Sequence, residues 1–342
     1  MSKILVTGPY GYIGHHVCLA LIRNGYFVYG LCPKDEKQTD LLRSEIIPVP
    51  GSIKDSDHYS DLILHAHIDG VVDTASSTES DSTALLAQLK KVGAQRIKNA
   101  QDLGRRPAKL GFVHLSCAMV HGSSPGVVND LDPVGVPQAP AQPAEVMAWR
   151  PDFEQQILAS SDVLDVIILR PTLVYGGAAP LWSDFLLPIF SALCNRSPAV
   201  EFPCGGDTII GLVHVSDVAE AVRLAIDKLQ LLVKADVHPI FDLVSSHESA
   251  ALILTGCARA LGCGDKKLNF NRPDDPGTLA QALNTSTNTD STRAMNLLGW
   301  QPKRVGMARA TPSYARAWSA WASPAISKDL EAQAAQEAQA DR

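Results

Sequence analysis

The sequence of 342 residues lacks the features that mark membrane, secreted and nucleic-acid-binding proteins. No apolar run approaches the roughly 18 residues that a membrane span needs. The N-terminal residues show no basic segment followed by a long apolar stretch, so no signal peptide is expected. A net charge of −6 and a pI near 5.9 provide no basic surface for nucleic acid or anionic lipid. We therefore expect a cytoplasmic globular protein that binds neither nucleic acid nor membrane.

Cysteine is scarce and irregularly spaced. The seven cysteines are an odd number, form no CxxC pair, and lie mostly in apolar segments. This distribution is typical of reduced, buried thiols in a cytosolic protein. We expect neither a disulfide framework nor a metal site.

Two residue types are missing from the middle of the chain. No tyrosine occurs between Tyr59 and Tyr175, and no lysine occurs between Lys109 and Lys228. A phenol can exchange a proton with substrate, and a nearby ammonium group lowers the pKa of that phenol. Their absence excludes a Tyr/Lys acid–base pair from this whole region.

Short β-branched runs alternate with helical patterns through the first half of the chain. The strands predicted from these runs and from one later segment are residues 3–8, 26–32, 46–53, 69–76, 110–117, 165–176 and 238–245. Residues 12–25 and 82–102 have the apolar spacing of helices, and residues 211–226 read as a strand that turns into a helix capped by Ser216 or Asp217. The alternation predicts an α/β fold of Rossmann type, with a parallel sheet covered by helices on both faces.

Three glycines lie between the first strand and the first helix, in "TGPYGYIG". At this spacing the first glycine allows a tight turn, the second lets the backbone approach a pyrophosphate, and the third lets the helix pack on the strand. The helix N-terminus adds N–H groups and partial positive charge. The segment predicts a dinucleotide site. Its cofactor-binding residues are Gly8, Tyr10, Gly11, Tyr12, Ile13 and Gly14.

The end of the second strand bears on which dinucleotide is bound. A carboxylate at this point would bind the adenosine ribose of NAD, but the chain has Cys32 there. A 2′-phosphate would not be repelled by Cys32, and Lys34 could pair with it. This favours NADP and leaves NAD open. The alternative for Lys34 is an ordinary solvated lysine.

Further segments follow the glycine turn in a recognisable order: PGSIKD, VVDTASS, FVHLSCAMVHG, LRPTLVYGG, VHVSDVAEAV and LLGWQPK. Together with the turn they resemble the extended short-chain dehydrogenases/reductases, the NAD-dependent epimerase/dehydratase group. The resemblance implies a Rossmann-type domain and a smaller C-terminal domain, with a small-molecule substrate bound in the cleft between them. By position it adds further cofactor-binding residues, which are Ser52, Ile53, Thr74, Ala75, Ser76 and Pro171.

The same resemblance implies the domain borders. Residues 1–176 would form the NAD(P)-binding domain, completed by about 211–245. Residues 177–210 and 246–322 would form the substrate-binding domain. Residues 323–342, rich in Ala, Gln and Glu, are expected to be a polar tail.

Two further expectations concern ligand and assembly. Members of such a family often dimerise through a long amphipathic helix, and residues 82–102 have that pattern, so a homodimer is open. Apolar residues cluster where the family's substrate loop lies, which favours an apolar substrate. These residues are Leu181, Trp182, Phe185, Leu186, Leu187 and Phe190.

The catalytic motif departs from the family pattern. Its serine position holds Cys117, its tyrosine position holds Val146, and its lysine position holds Arg150. Proline inside a helix costs about 3 kcal/mol but is well tolerated in the first turn, so Pro151 predicts a helix that starts near Arg150. Val146 would then lie outside that helix.

The remaining candidates for catalysis are Cys117, His121, Arg150 and Tyr175. His121 stands where the family has a strand-end tyrosine, and its imidazole could serve as an acid or base, although it could equally be a packed side chain. Cys117 could be a small filler, Arg150 cannot shuttle protons, and the tyrosine of "VYGG" is usually structural. The dehydratase branch is set aside because Ala118 and Met119 replace its Asp-Glu pair.

Three functions remain open. The first is an NAD(P)-dependent oxidoreductase or epimerase with an acid–base system of another kind. The second is a lyase, isomerase or cyclase that uses the same cleft without redox chemistry. The third is a cofactor-binding sensor without turnover.

Overall fold

A parallel sheet organises the part of the chain that the computed structural model describes, which is residues 2–33, 37–54, 56–75, 78–272 and 284–322. The strands are β1 (Lys3–Thr7), β2 (Phe27–Cys32), β3 (Ile47–Pro50), β4 (Gly70–Asp73), β5 (Leu110–Leu115), β6 (Leu164–Pro171), β7 (Leu173–Tyr175), β8 (Ala199–Phe202), β9 (Ile209–His214), β10 (Ile240–Leu243), β11 (Ser246–Ser249) and β12 (Lys267–Phe270). Seven of them form one sheet in the order β3-β2-β1-β4-β5-β6-β10, with every neighbouring pair parallel. The predicted α/β, Rossmann-type fold is confirmed.

Helices cover both faces of this sheet. They are α1 (Tyr12–Arg23), α2 (Lys37–Arg43), α3 (Ser56–His65), α4 (Glu79–Asp102), α5 (Arg150–Leu158) and, after an intervening helix, α7 (Val215–Lys234). The helices α6 (Ser183–Cys194) and α8 (Ala250–Ala260) and the helical residues 311–322 belong to a second lobe. No helix among the described residues has both the length and the apolarity to cross a bilayer.

Alternate residues of each central strand enter different cores. In β1, Ile4 and Val6 belong to the core under α1 and α7, whereas Leu5 belongs to the core under α3, α4 and α5. In β6, Ile167 and Ile168 divide in the same way. All eight residues of β6 are buried. The continuous apolar runs in the sequence therefore reflect strands that are covered on both faces.

A second lobe follows β6. Strands β7, β9 and β11 form a small mixed sheet, and β8 pairs with β12. Helices α6 and α8 supply a separate apolar core that includes Trp182, Phe202 and Trp318.

Residues 165–176 form two strands, where the sequence pattern predicted one. β6 ends in the large sheet, and β7 begins two residues later in the small sheet. Between them, Thr172 donates both its N–H and its hydroxyl to the carbonyl oxygen of Leu243, at 3.0 and 3.1 Å. Thr172 thus anchors the chain to the end of β10 at the point where it changes sheets.

The start of α7 also differs from the prediction. Its cap is His214, whose Nδ1 accepts a hydrogen bond from the N–H of Ser216 at 3.1 Å. Asp217 lies inside the first turn, and its carboxylate accepts from the N–H groups of Lys303 and Arg304 at 3.0 Å each. The prediction of a Ser216 or Asp217 cap was wrong, because the aspartate fastens a distant segment to the helix.

Candidate active site

The chain turns sharply at the glycines after β1. Gly8 has a φ of +68°, and the N–H of Gly11 donates to the Gly8 carbonyl oxygen at 3.0 Å. A Cβ at Gly14 would lie 2.1 Å from that oxygen and 2.5 Å from Thr74 Oγ1. No side chain fits there, so α1 packs directly on the turn. The N–H groups at its start therefore lie at the carboxyl end of β1.

A buried aspartate holds this turn against β4. Asp73 Oδ1 accepts from the hydroxyl of Thr7 at 2.6 Å and from the N–H of Ala75 at 3.3 Å. The Thr74 hydroxyl donates to the Thr7 carbonyl at 2.6 Å. Asp73 Oδ2 lies 2.9 Å from Nδ1 of His114, and both side chains are 1% exposed. Neither partner was singled out from the sequence, although a charged residue inside an apolar strand signals a buried pair.

A cleft of about 310 Å³ opens beside the turn. Its walls come from the segments after β1, β2, β3 and β4, at the point where the strand order of the sheet reverses. Asp81 and Lys54 lie on this wall with their charged groups 3.5 Å apart. Five of the predicted cofactor-binding residues line the same cleft, and they are Gly8, Tyr10, Ser52, Ile53 and Ala75.

The remaining predicted cofactor-binding residues surround the turn or lie further along the sheet. Tyr12 and Ile13 begin α1, and the Tyr12 hydroxyl donates to the carbonyl of Gly176 at 2.5 Å. Burial raises the pKa of this phenol. Pro171 is buried at the end of β6. The predicted residues that lie outside the described part of the chain are Lys34 and Ser76.

Helix α5 begins at Arg150, as Pro151 predicts. Pro151 occupies the first turn, where its missing N–H leaves no hydrogen bond unmade. A separate single-turn helix, Glu145–Met147, precedes it and contains Val146. The prediction that Val146 lies outside the helix of Arg150 is confirmed.

Arg150 lies half-buried at the start of α5. Its guanidinium carbon lies 4.7 Å from the centre of the Trp149 ring, and its Nε is buried without a hydrogen-bond partner. Within the described residues, no carboxylate forms an ion pair with it. Against the effect of burial, the positive charge of Arg150 lowers the pKa of the Cys117 thiol.

Cys117 follows β5 and is half-buried. Its Sγ accepts a hydrogen bond from the N–H of Met119 at 3.4 Å. Burial raises the pKa of the thiol, and the positive charge of Arg150 partly opposes that rise. A raised pKa keeps Cys117 neutral at neutral pH, which makes it a poor nucleophile.

His121 lies inside a buried charge cluster with Glu154, Arg170 and Asp242, all four at most 2% exposed. His121 Nε2 is 2.8 Å from Asp242 Oδ2 and 3.5 Å from Arg170 Nη1. Arg170 Nε lies 3.1 Å from each carboxylate oxygen of Glu154. The Nε2 atom of His121 therefore already has partners inside the cluster. This fits the alternative in which His121 is a packed side chain.

The phenol of Tyr175 is already hydrogen-bonded to the backbone. Its hydroxyl donates to the carbonyl of Arg304 at 2.8 Å, and its ring packs edge-on against His214 and Tyr314. Burial raises its pKa. A role as a proton donor would require this hydrogen bond to break.

The apolar residues at 181–190 belong largely to the second core. Trp182, Phe185 and Leu186 are each 1% exposed, whereas Leu181 and Leu187 face solvent. The three buried residues fill the core of the lobe, so their apolar character is explained without a substrate. The expectation of an apolar substrate stays a prediction.

A parallel sheet of this order, with a glycine turn after its first strand, defines a Rossmann-type nucleotide-binding fold. A model of the NAD dependent epimerase/dehydratase family matches residues 4–238, which is more than half of the chain. The chain belongs to this family.

Known proteins similar to this chain include enzymes of several activities. The sterol-4-alpha-carboxylate 3-dehydrogenase, decarboxylating, of Dictyostelium discoideum is 24% identical over 237 residues, which cover 67% of this chain and 68% of that protein. The structure of dTDP-glucose 4,6-dehydratase from Bacillus anthracis in complex with NAD matches with a TM-score of 0.66 at 16% identity, covering 93% and 96% of the two chains. UDP-glucuronic acid 4-epimerase from Bacillus cereus, in complex with UDP-glucuronic acid and NAD, matches at 0.63 with 19% identity, covering 93% and 99%. At these identities the structural likeness shows the fold.

Proposed function

We propose that this protein binds NAD or NADP beside the glycine turn and catalyses hydride transfer to or from a small organic substrate. The observation that carries the proposal is the contact at Gly14, where a Cβ would lie 2.1 Å from the Gly8 carbonyl oxygen. Such close packing of helix on turn suits a pyrophosphate held by backbone N–H groups. The adjoining cleft, lined by Tyr10, Ile53 and Ala75, would hold the adenosine half.

The surroundings of the cleft favour NADP over NAD. The last residue of β2 is Cys32, so the strand itself ends without the carboxylate that would bind a ribose hydroxyl of NAD. Lys37 Nζ lies 4.3 Å from the centre of the Tyr10 ring, and Lys54 lines the cleft itself, 3.5 Å from Asp81. We assign the 2′-phosphate to Lys37 and Lys54.

The reaction would proceed without a tyrosine acid. A bound nicotinamide would supply or accept hydride. Cys117 and Arg150, the side chains at the family's serine and lysine positions, do not exchange protons at neutral pH. We therefore propose that solvent water supplies the proton. A water donor suits the reduction of a conjugated alkene or an iminium better than the oxidation of an alcohol.

Fluorescence titration with NADPH and NADH tests the binding step. Gly14→Ala is expected to weaken NADPH binding by at least about tenfold, because its Cβ displaces the turn. Gly126→Ala is the matched control, since a Cβ there meets open space. Ala75→Leu narrows the cleft without touching the Gly14 contact, so it tests the site even if Gly14→Ala does not fold. Failure of the wild-type chain to bind either nucleotide would contradict the proposal.

Cofactor oxidation across ketones, enones and imines then tests the chemistry. Oxidation with any of these substrates supports an oxidoreductase. Tight NADPH binding with no oxidation would contradict hydride transfer and favour a non-redox lyase, isomerase or cyclase, or a sensor.

A further inference from the structure

Arg150 is a cation with no ion-pair partner among the described residues. Glu154, one turn further along α5, pairs with Arg170, and Asp242 contacts His121. Asp152, in the first turn of the same helix, is exposed and forms no ion pair with Arg150 in the described part of the chain. Among the described side chains no carboxylate pairs with Arg150, and its buried Nε has no acceptor. A guanidinium with a buried, unsatisfied N–H is unfavourable unless a ligand supplies the acceptor.

The position of Arg150 adds to the local positive potential. Arg150 is the first residue of α5, a helix of nine residues. The backbone dipoles of a helix favour negative charge at its N-terminus and positive charge at its C-terminus. The arginine therefore stands against the dipole of its own helix. An anion bound here would interact favourably with both the side chain and the helix.

Arg150 follows a turn that lies near the carboxyl edge of the sheet. Val146 and Met147 of that turn pack on the core of the second lobe together with Cys117, which follows β5 at this edge. In open parallel sheets, ligands bind outside this edge. The guanidinium carbon lies over the Trp149 ring, 4.7 Å from its centre, and a planar guanidinium suits a two-oxygen partner. Val146 and Met147, half-buried in the preceding turn, add apolar surface.

We infer that Arg150 binds the carboxylate of the substrate, so that this protein acts on organic acids in preference to neutral compounds. The inference rests on the proposed function and names its substrate class. It makes Arg150 a specificity-determining residue, while the cofactor is held elsewhere, at the glycine turn.

The test uses the full chain saturated with NADPH and calorimetric titration with matched probes. The probes are acetate, pyruvate, hexanoate and benzoate, each paired with its primary amide. At least one acid is expected to bind about tenfold more tightly than its amide, as a bidentate arginine contact provides. Arg150→Gln is expected to remove this preference and to change the NADPH Kd by less than about twofold, because the glycine turn holds the cofactor. Arg105→Gln, at an exposed arginine, is the control.

Two results would overturn the inference. One is an equal affinity for every acid and its amide in the wild-type protein. The other is a tenfold or greater loss of NADPH affinity in Arg150→Gln, which would place the arginine on the cofactor instead. The proposed function fails separately, because it is contradicted by a wild-type chain that binds neither nucleotide, or that binds NADPH and oxidises it with none of the substrates.

Discussion

Arg170 of β6 and Glu154 of α5 form an ion pair that is almost closed to solvent, with side chains 2% and 0% exposed. The guanidinium faces the carboxylate side-on, with Nε 3.1 Å from both oxygens. This pair attaches α5 to the sheet. Since α5 begins with Arg150, the pair also holds the candidate substrate contact in place. It also removes the one carboxylate that a helical turn would otherwise bring near Arg150.

Glu154→Gln is expected to destabilise the fold strongly. Without the Glu154 carboxylate, Arg170 keeps only the Asp242 carboxylate at 3.9 Å. Breaking a buried ion pair by removing one partner typically costs about 3–5 kcal/mol. Urea denaturation measures the loss, with the exposed Glu145→Gln as the control. The double variant Glu154→Leu, Arg170→Met is expected to be more stable than Glu154→Gln, because it leaves no buried charge of this pair. A Glu154→Gln stability equal to that of the control would contradict the assigned role.

Stability is expected to fall in mild acid because of His214. Burial lowers the pKa of His214 from 6.5 to about 4. Between these values the unfolded chain binds the proton and the folded chain does not, so the histidine's contribution is complete above pH 6.5 and disappears towards pH 4. His15, His238 and His247 have pKa values that burial lowers in the same direction. Thermal unfolding followed across this pH window measures the effect.

His214→Asn separates this histidine from the others. Asparagine keeps an acceptor for the Ser216 N–H at the start of α7 but does not titrate. Acidification is expected to lower the melting temperature of the variant by less than that of the wild-type protein. An identical pH slope in both proteins would assign the effect to other groups.

Local signals in the sequence were sufficient for much of the fold. The glycine turn and the helix start at Pro151 are set by neighbouring residues, so spacing alone predicted them. The exchange of sheets at Thr172 was not predictable, because it depends on the distant carbonyl of Leu243. The short strand β11 was missed for the same reason, since its pairing with β9 is a tertiary contact.

The candidate site was less predictable than the fold. The positions of Cys117 and Arg150 came from motif order, but the lack of a counter-ion at Arg150 is visible only in three dimensions. Asp73, His114 and Asp242 interrupt apolar strands, which signals a buried partner without saying which one. The spacing of residues along the sequence does not predict that β4 pairs with β5 or that β10 pairs with β6.

Restoring the family's residues is expected to have little effect. Val146→Tyr with Arg150→Lys recreates the family's pair in sequence, but residue 146 lies in a single-turn helix that ends before α5 begins. Two side chains four positions apart share a face only when one helix carries both. NADPH oxidation with a panel of ketones should stay within about twofold of the wild-type rate. A much larger gain would show that the two positions do converge.

Thiol reactivity is expected to distinguish one cysteine from the rest. Cys194 is exposed, whereas Cys18, Cys204 and Cys257 are buried and burial raises the pKa of each to about 12. Since the thiolate is the reactive form, a disulfide reagent should label Cys194 first in the native protein. Cys194→Ser should remove the fast phase, and the buried thiols should react only in denaturant. A fast phase that survives Cys194→Ser would point to another accessible thiol, such as Cys117.

Asp217→Ala is expected to release the C-terminal segment from α7. The Asp217 carboxylate is 3% exposed and accepts from the N–H groups of Lys303 and Arg304, while its carbonyl accepts from the indole of Trp300. Removing the carboxylate leaves two part-buried backbone N–H groups without their acceptor. Each lost hydrogen bond to a charged group costs about 1.5–3 kcal/mol. The variant should unfold at lower urea than the exposed-site control Asp61→Ala. Limited proteolysis should also cut it faster after residue 302, whereas equal cleavage of variant and control would show that the indole contact alone holds the segment.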